Sequence, residues 1–198
     1  MARPREYHPG AVLDRAVEAF WARGYRATSV DDLVTATGLH RGSLYAAFGD
    51  KRGLFLAALD RYAATVVPHW LAVLRRPGPA LEAVRGFLDM VTDYAAADAR
   101  RRGCLLANTA VELAPSDAEV SRRVAAHLGR IEDALAEALV RARTAGEIGP
   151  AADPRALARF LLCTIEGLLV LGKLAPGRAA LGDMAAWALA AVPVLEDN

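Results

Sequence analysis

Apolar residues recur at helical spacing from one end of this chain to the other, and no segment shows the two-residue alternation of a half-buried strand. That pattern excludes sheet architectures and leaves an all-α fold. Alanine, the strongest helix former, supplies 43 of the 198 residues. With 54% hydrophobic and 24% charged residues, the helices can bury a real core. The formal charge of +1 excludes a chain that grips nucleic acid by bulk charge, because that mode needs a strong basic excess. A small basic surface inside a neutral average stays open.

Breakers divide the pattern. Pro9 opens a helix carrying Val12, Leu13, Ala16, Val17 and Phe20, and Gly24 ends it. Ser29 with Asp32 three residues on has the form of a capping box, and a helix follows to Thr37. Gly38 breaks it, and a third short helix runs from Arg41 to Phe48. A long helix over 51–74 follows, which Pro68 should kink or split. After Pro77-Gly78-Pro79 come helices expected at 80–97, 103–113, 117–145, 154–174 and 180–195. Ser116 with Glu119 reads as a second capping box, and Asp153-Pro154 as a cap with proline at the first helical position. The expected architecture is a three-helix N-terminal bundle joined through a long helix to a larger one.

The informative stretch is TSVDDLVTATGLHRGSLYAAF, Thr28 to Phe48. Val30, Leu33, Val34, Leu39, Leu44 and Phe48 can pin two helices across the Gly38 turn. Such a pair has the form of a helix-turn-helix, whose second helix lies in the DNA major groove. Many helix pairs share that periodicity. The longer run GYRATSVDDLVTATGLHRGSLYAAFGDKRGLFLAAL resembles the N-terminal domain of the TetR family of bacterial repressors. Phe20, Gly24-Tyr25, Ser29-Val30, Gly38-Leu39, Arg41 to Tyr45, Phe48, Lys51 and Leu54-Phe55 fall in the family's order. The resemblance covers about residues 9–65; beyond it the match is in helix number and length.

It implies a homodimer on double-stranded, palindromic operator DNA, released when a small-molecule effector binds the C-terminal region. The implied divisions are a basic arm over 1–8, a DNA-binding domain over 9–65 with the helix-turn-helix at about 29–48, and an effector and dimerisation domain over 66–198. Arg41, Gly42, Ser43 and Tyr45 begin the recognition helix and reach bases or phosphates. Gly42 lets the backbone approach the groove. Thr28 and Ser29 stand where a helix start can hold a phosphate. Lys51 suits a phosphate contact, and Arg3 and Arg5 form an arm for the minor groove. His40 stands where many relatives carry a small cap residue, which alters contacts near the operator.

The last two helices read as the pairing surface. Leu157, Phe160, Leu161, Thr164, Leu168 and Leu171 follow helical spacing, as do Leu181, Met184, Ala188 and Val192. Gly167, Gly172, Ala185 and Ala188 permit close approach. An effector pocket is expected from Trp70, Phe87, Met90 and Tyr94 as walls, with Cys104, Asn108, Glu112, His127 and Glu166 as polar groups. Cys104 follows Arg100-Arg101-Arg102-Gly103 at a helix start, and both features favour the reactive thiolate. The GCLL segment is similar to a subset of TetR-type regulators that sense electrophiles or oxidants there, with Lys173 as an amine partner. Cys163, on an apolar helix face, reads as inert.

The rest of the reading is negative. His8, His40, His69 and His127 have no ligand spacing, so no metal or cofactor is expected. No apolar run reads as a leader or a membrane span, so the expected location is cytoplasmic. An all-α enzyme lacks a phosphate loop or nucleophile–base set here. A dimerisation module that ignores DNA sits badly with the N-terminal motif.

Overall fold

The computed structural model describes residues 8–194, and among them it has nine α-helices. They are α1 (Pro9–Arg23), α2 (Val30–Thr37), α3 (Arg41–Phe48), α4 (Lys51–Leu74), α5 (Ala80–Ala97), α6 (Leu105–Leu113), α7 (Ala118–Thr144), α8 (Pro154–Gly172) and α9 (Arg178–Ala190). The extended pairing among the described residues is one isolated bridge between Ile148 and Val194. The all-α expectation holds.

Most ends form where the local chemistry places them. Ser29 Oγ accepts the Asp32 N–H at 3.0 Å while Asp32 Oδ2 accepts the Ser29 N–H at 2.8 Å, a complete reciprocal cap. Asp153 caps α8 through the Arg155 and Ala156 amides, with Pro154 in the first turn. Other features differ, and α6 starts at Leu105 and α8 ends at Gly172, each two residues inside the expected span. The cap of α7 is Asp117, whose Oδ1 takes the Glu119 and Val120 amides, and the Ser116 hydroxyl turns back to Leu113 O. The α9 helix starts at Arg178 and ends at Ala190. The α4 helix runs unbroken through Pro68, because the carbonyl that loses its partner belongs to Ala64, an exposed residue that water can reach.

The long α4 joins the two ends of the molecule. Its first half packs on α1 and α3 and its second half on α5, and α7 runs along it from Arg52 to Leu74. Phe55 on α4 meets Phe20 edge-on at 5.0 Å and Tyr25 at 4.9 Å, and Trp21 meets Tyr62 at 4.8 Å. The C-terminal helices wrap around α5 and α7, with Phe87, Leu88, Leu135 and Leu139 fully buried. The start of α5 has no side-chain cap of its own. Glu147, from the loop between α7 and α8, supplies it by accepting the Ala80 and Leu81 amides at 2.9 and 2.7 Å.

Candidate nucleic-acid interface

The α2–α3 pair is held from inside, which leaves one outer face free. Gly38 takes the left-handed conformation that a turn of this kind needs, φ +72, and its N–H closes on Val34 O. The buried Thr37 hydroxyl donates to Leu33 O, and Arg15 of α1 donates to Thr37 O at 3.0 Å. Leu44 is the one residue of α3 that is fully buried. His40, Arg41, Gly42, Ser43 and Tyr45 are all exposed, so the first turn of α3 points away from the core. His40 precedes the helix without a side-chain cap, and a Cβ at Gly42 would meet open space. Nothing within the chain requires glycine at position 42.

The charged residues divide between this face and the interior contacts. Arg41 pairs with Asp31 at 2.8 Å, both exposed, an arrangement that costs little to open. Lys51 stands at the start of α4 with its amine 4.4 Å above the Tyr25 ring. Its neighbour Arg52 turns the other way, binding Asp117 through two nitrogens and Glu119 at 2.9 Å. Those bonds hold the Asp117 and Glu119 carboxyls below their ordinary range. Thr28 is a correction. Its side chain is buried and its hydroxyl donates to Gly24 O at 2.6 Å, so it braces the loop after α1 and cannot hold a phosphate. Arg3 and Arg5 lie outside the described residues.

The residues expected to form an effector pocket do not converge. Trp70 and Phe87 pack edge-on at 5.8 Å between α4 and α5, and Met90 is half-buried against the same core. His127 faces Asp60 on α4 at 2.9 Å, beside the Arg123–Asp60 pair. Glu112 faces the DNA-binding end, where its carboxylate accepts the Tyr25 and Arg26 amides at 2.9 and 2.7 Å. Gly24 makes room for it: a Cβ there would lie 2.7 Å from Glu112 Oε2, in a backbone already at φ +80. Asn108 takes Lys173 Nζ at 3.1 Å and donates to Arg102 O.

Cys104 overturns the thiolate expectation. Its sulfur is buried, caps α6 by accepting the Ala107 N–H, and lies 3.7 Å from Glu166 Oε1. Burial and then the Glu166 carboxyl push the thiol above its ordinary value. Burial raises Glu166 in turn to about 7. The three arginines are aimed elsewhere: Arg100 and Arg102 bind Glu18 at 2.8 Å, Arg102 stacks 4.0 Å over Trp21, and Arg101 is exposed. Lys173 reaches Asn108. Desolvation moves Tyr62 upward and lifts Tyr94 to about 12, so the groups around Cys104 are neutral phenols and one carboxyl.

The expected pairing surface is rotated about its helices. Leu161, Leu168, Leu181, Ala188 and Val192 belong to the intrachain core, as do Gly172 and Ala185. The face left open holds Phe160, Cys163 and Leu171 on α8, Leu174 just past its end, and Met184 and Trp187 on α9, the last 78% exposed. Cys163 is therefore exposed on an apolar stripe rather than packed.

Sequence reasoning did not find the seam joining the two ends: Glu112 to the Tyr25 and Arg26 amides, Trp21 Nε1–H to Gly103 O at 3.2 Å, and Arg52 to Asp117 and Glu119. These partners stand 65 to 87 residues apart, and no local pattern marks them. Among the described residues no group of three His, Cys, Asp or Glu could hold a metal ion, and no helix is long and apolar enough to cross a membrane.

Comparison with known proteins agrees with this geometry. Residues 12–58 match the family of bacterial regulatory proteins, tetR family, and residues 80–186 match the tetracyclin repressor-like C-terminal domain. The chain is 36% identical over 162 residues to the HTH-type transcriptional regulator YezE of Bacillus subtilis (strain 168), covering 81% of this chain and 84% of YezE. It is 33% identical over 169 residues to the HTH-type transcriptional repressor ComR of Escherichia coli (strain K12), covering 85% of this chain and 80% of ComR. Among solved structures, a cysteine mutant of the TetR family regulator CifR complexed with 26 bp double-strand operator DNA superposes with a TM-score of 0.87 at 32% identity. That match covers 96% of this chain and 100% of CifR. With two family matches that together span most of its length, the chain belongs to the TetR family of DNA-binding transcriptional regulators.

Proposed function

We propose that this protein is a homodimeric repressor that holds a palindromic operator and leaves it when a small lipophilic or electrophilic effector reaches the C-terminal helices. The observation that carries the reading is the free first turn of α3 beside Lys51, with polar groups outward and Leu44 alone inward. Ser29, His40, Arg41, Gly42, Ser43, Tyr45 and Lys51 form the DNA face, and Arg3 and Arg5 extend it. The operator complex of CifR and the naming of ComR as a repressor support this sense. The working divisions are residues 9–65 for DNA and 66–198 for effector and dimerisation.

The apolar stripe on α8 and α9 is the pairing face in this reading. Two-fold pairing through it presents two copies of α3 to half-sites about 34 Å apart. Effector binding shifts the population toward a conformation in which that spacing no longer fits. A hundredfold loss of operator affinity needs about 2.7 kcal/mol of coupling, within the usual allosteric range. The Glu112 and Arg52 contacts are the bonds through which α6 and α7 bear on the DNA-binding helices.

The test is selection of genomic DNA fragments by the purified protein, followed by a band shift with the fragment flanking its own gene. Retention of a discrete palindrome by wild type supports the reading. Failure to select any sequence above background sinks it.

A further inference from the structure

Between α1 and the α6–α8 pair lies an open cleft of about 420 Å³. That is within the roughly 300–1,000 Å³ of small-molecule sites. Trp21, Ala107, Val111 and Val170 supply apolar walls, and Asn108 and Lys173 the polar groups. It adjoins Cys104 through Ala107, whose N–H the buried sulfur accepts, but neither Cys104 nor Glu166 lines it, and it lies across the seam between the DNA-binding helices and the rest of the chain.

Charge distinguishes this cleft from an ordinary surface hollow. Lys173 has a neutral partner, Asn108 Oδ1 at 3.1 Å, and among the described residues no carboxylate forms an ion pair with it. Arg23, the arginine that lines the cleft, is committed to Asp32, and Arg100 and Arg102 nearby to Glu18. The lysine is also positioned. Gly103, at φ +64, leaves the space its stem crosses, because a Cβ there would lie 3.2 Å from Lys173 Cδ and 2.8 Å from Leu169 O. Beside it, Val111 is 81% exposed and Val170 48%, so an apolar surface stands open next to an uncompensated cation. Val111 is on α6, outside the α8–α9 stripe, and pairing through that stripe does not account for it.

We propose that this cleft is a second small-molecule site, taking a monoanionic ligand with an apolar body: a carboxylate on an alkyl or aryl group. The carboxylate pairs with Lys173 and the body lies on Trp21, Val111 and Val170. One ammonium beside an amide matches one negative charge, which favours a carboxylate over a phosphate dianion. The flanking bonds, Trp21 to Gly103 O and Glu112 to the Tyr25 and Arg26 amides, are intact with the cleft open. A ligand there bridges the seam and holds α1 against α6. The proposal does not depend on operator binding, and its test uses no DNA.

The three tryptophans, Trp21, Trp70 and Trp187, give an internal readout, since they stand in the cleft, in the C-terminal core and on the α9 stripe. Full-length protein is titrated with decanoate, phenylbutyrate, decanol and decylamine while the indole N–H resonances are followed by NMR, with Trp21→Phe for assignment. The carboxylates should shift the Trp21 signal and leave Trp70 and Trp187 in place. Lys173→Met should weaken carboxylate binding about tenfold or more and leave decanol unaffected, as a lost charged hydrogen bond predicts. Val111→Trp, which fills the cleft from an exposed position, should block binding while the protein stays folded. Three results would each overturn the proposal: carboxylates that move Trp70 instead of Trp21, equal binding by Lys173→Met, or no response of any indole to either carboxylate.

Discussion

The α3 and α8 helices each leave a face without a partner in the chain, and the two faces are chemically opposite. On α3 the open face carries Arg41, Ser43 and Tyr45, with His40 just before it, and Leu44 and the partly buried Phe48 hold the helix in place. On α8 the open face carries Phe160 and Leu171, with Leu174 just past its end, while the opposite side buries Leu161, Ile165, Leu168 and Leu169. A polar face on a short helix can meet water or phosphate at little cost. Clustered apolar residues on a long helix are costly to leave wet, and such patches mark protein contacts. An open face thus indicates the kind of partner by its chemistry, and the geometry of its helix sets how that partner is met.

The largest expected effect breaks the apolar side. Leu171→Arg combined with Trp187→Glu should convert the proposed homodimer to a monomer in analytical ultracentrifugation. Operator affinity should then fall by roughly 10³-fold, since a single half-site retains little beyond non-specific binding. A dimer that persists would move the pairing face elsewhere.

The next effect reads the third side of α8. Glu166 is raised to about 7 from an ordinary value of 4.5, so the folded protein holds its proton more tightly than the unfolded chain. Its contribution to stability is complete below about pH 4.5 and is lost as pH rises through 7. Glu166→Gln should lack that slope and exceed wild type by up to about 3 kcal/mol at pH 8 in urea titrations. Parallel curves at pH 5 and 8 would show that the carboxyl is not desolvated.

On the polar side, Tyr45→Ala should weaken operator binding by about 1–3 kcal/mol while leaving sedimentation in the ultracentrifuge as in wild type. Unchanged binding would refute the assigned face. Lys51→Ala should act more uniformly, weakening all DNA sequences alike and lowering the salt slope of binding by about 1. The smallest effect joins the two sides. Cys163 lies on the stripe proposed for pairing and Cys104 is buried, so, if the chain pairs there, iodoacetamide should label the native protein slowly at both. The Leu171→Arg and Trp187→Glu changes should speed labelling at Cys163 alone. Rapid labelling of the native protein at Cys104 would show that the Glu166 pair opens.

How far the sequence could be read follows from the range of the interactions. The Ser29–Asp32 cap, the Gly38 turn and the ends of α1 through α3 were legible because each is set within about four residues. Ser116 misled because Asp117, one residue on, offers the Glu119 and Val120 amides a nearer oxygen. Thr28 misled in another way. A hydroxyl before a helix start looks available for phosphate, and only the fold turned it inward onto Gly24 O.

The distant half of the site was not legible for a different reason. Helical spacing shows that α8 has apolar residues on several sides, but not which side meets the chain and which meets a partner. Leu168 and Leu171, three residues apart, fall on opposite sides of that division. The arginines before Cys104 were read as its electrostatic neighbours by proximity in sequence. The backbone at Arg101, φ +53, and the Asp98 carboxyl that gathers the Arg102 and Gly103 amides help set the loop, whose Arg100 and Arg102 side chains reach Glu18.

By itself, then, the sequence determined that this protein is all-α, where its N-terminal helices begin and end, and which family motif those helices carry. Those properties rest on propensity, capping and periodicity, which act over a few residues. Tertiary structure alone decided which carboxylate Cys104 faces, which glutamate ties α6 to the DNA-binding end, and which residues of α8 stay exposed. Each of those depends on desolvation and charge at contacts between residues dozens of positions apart, and these exist once the helices have packed.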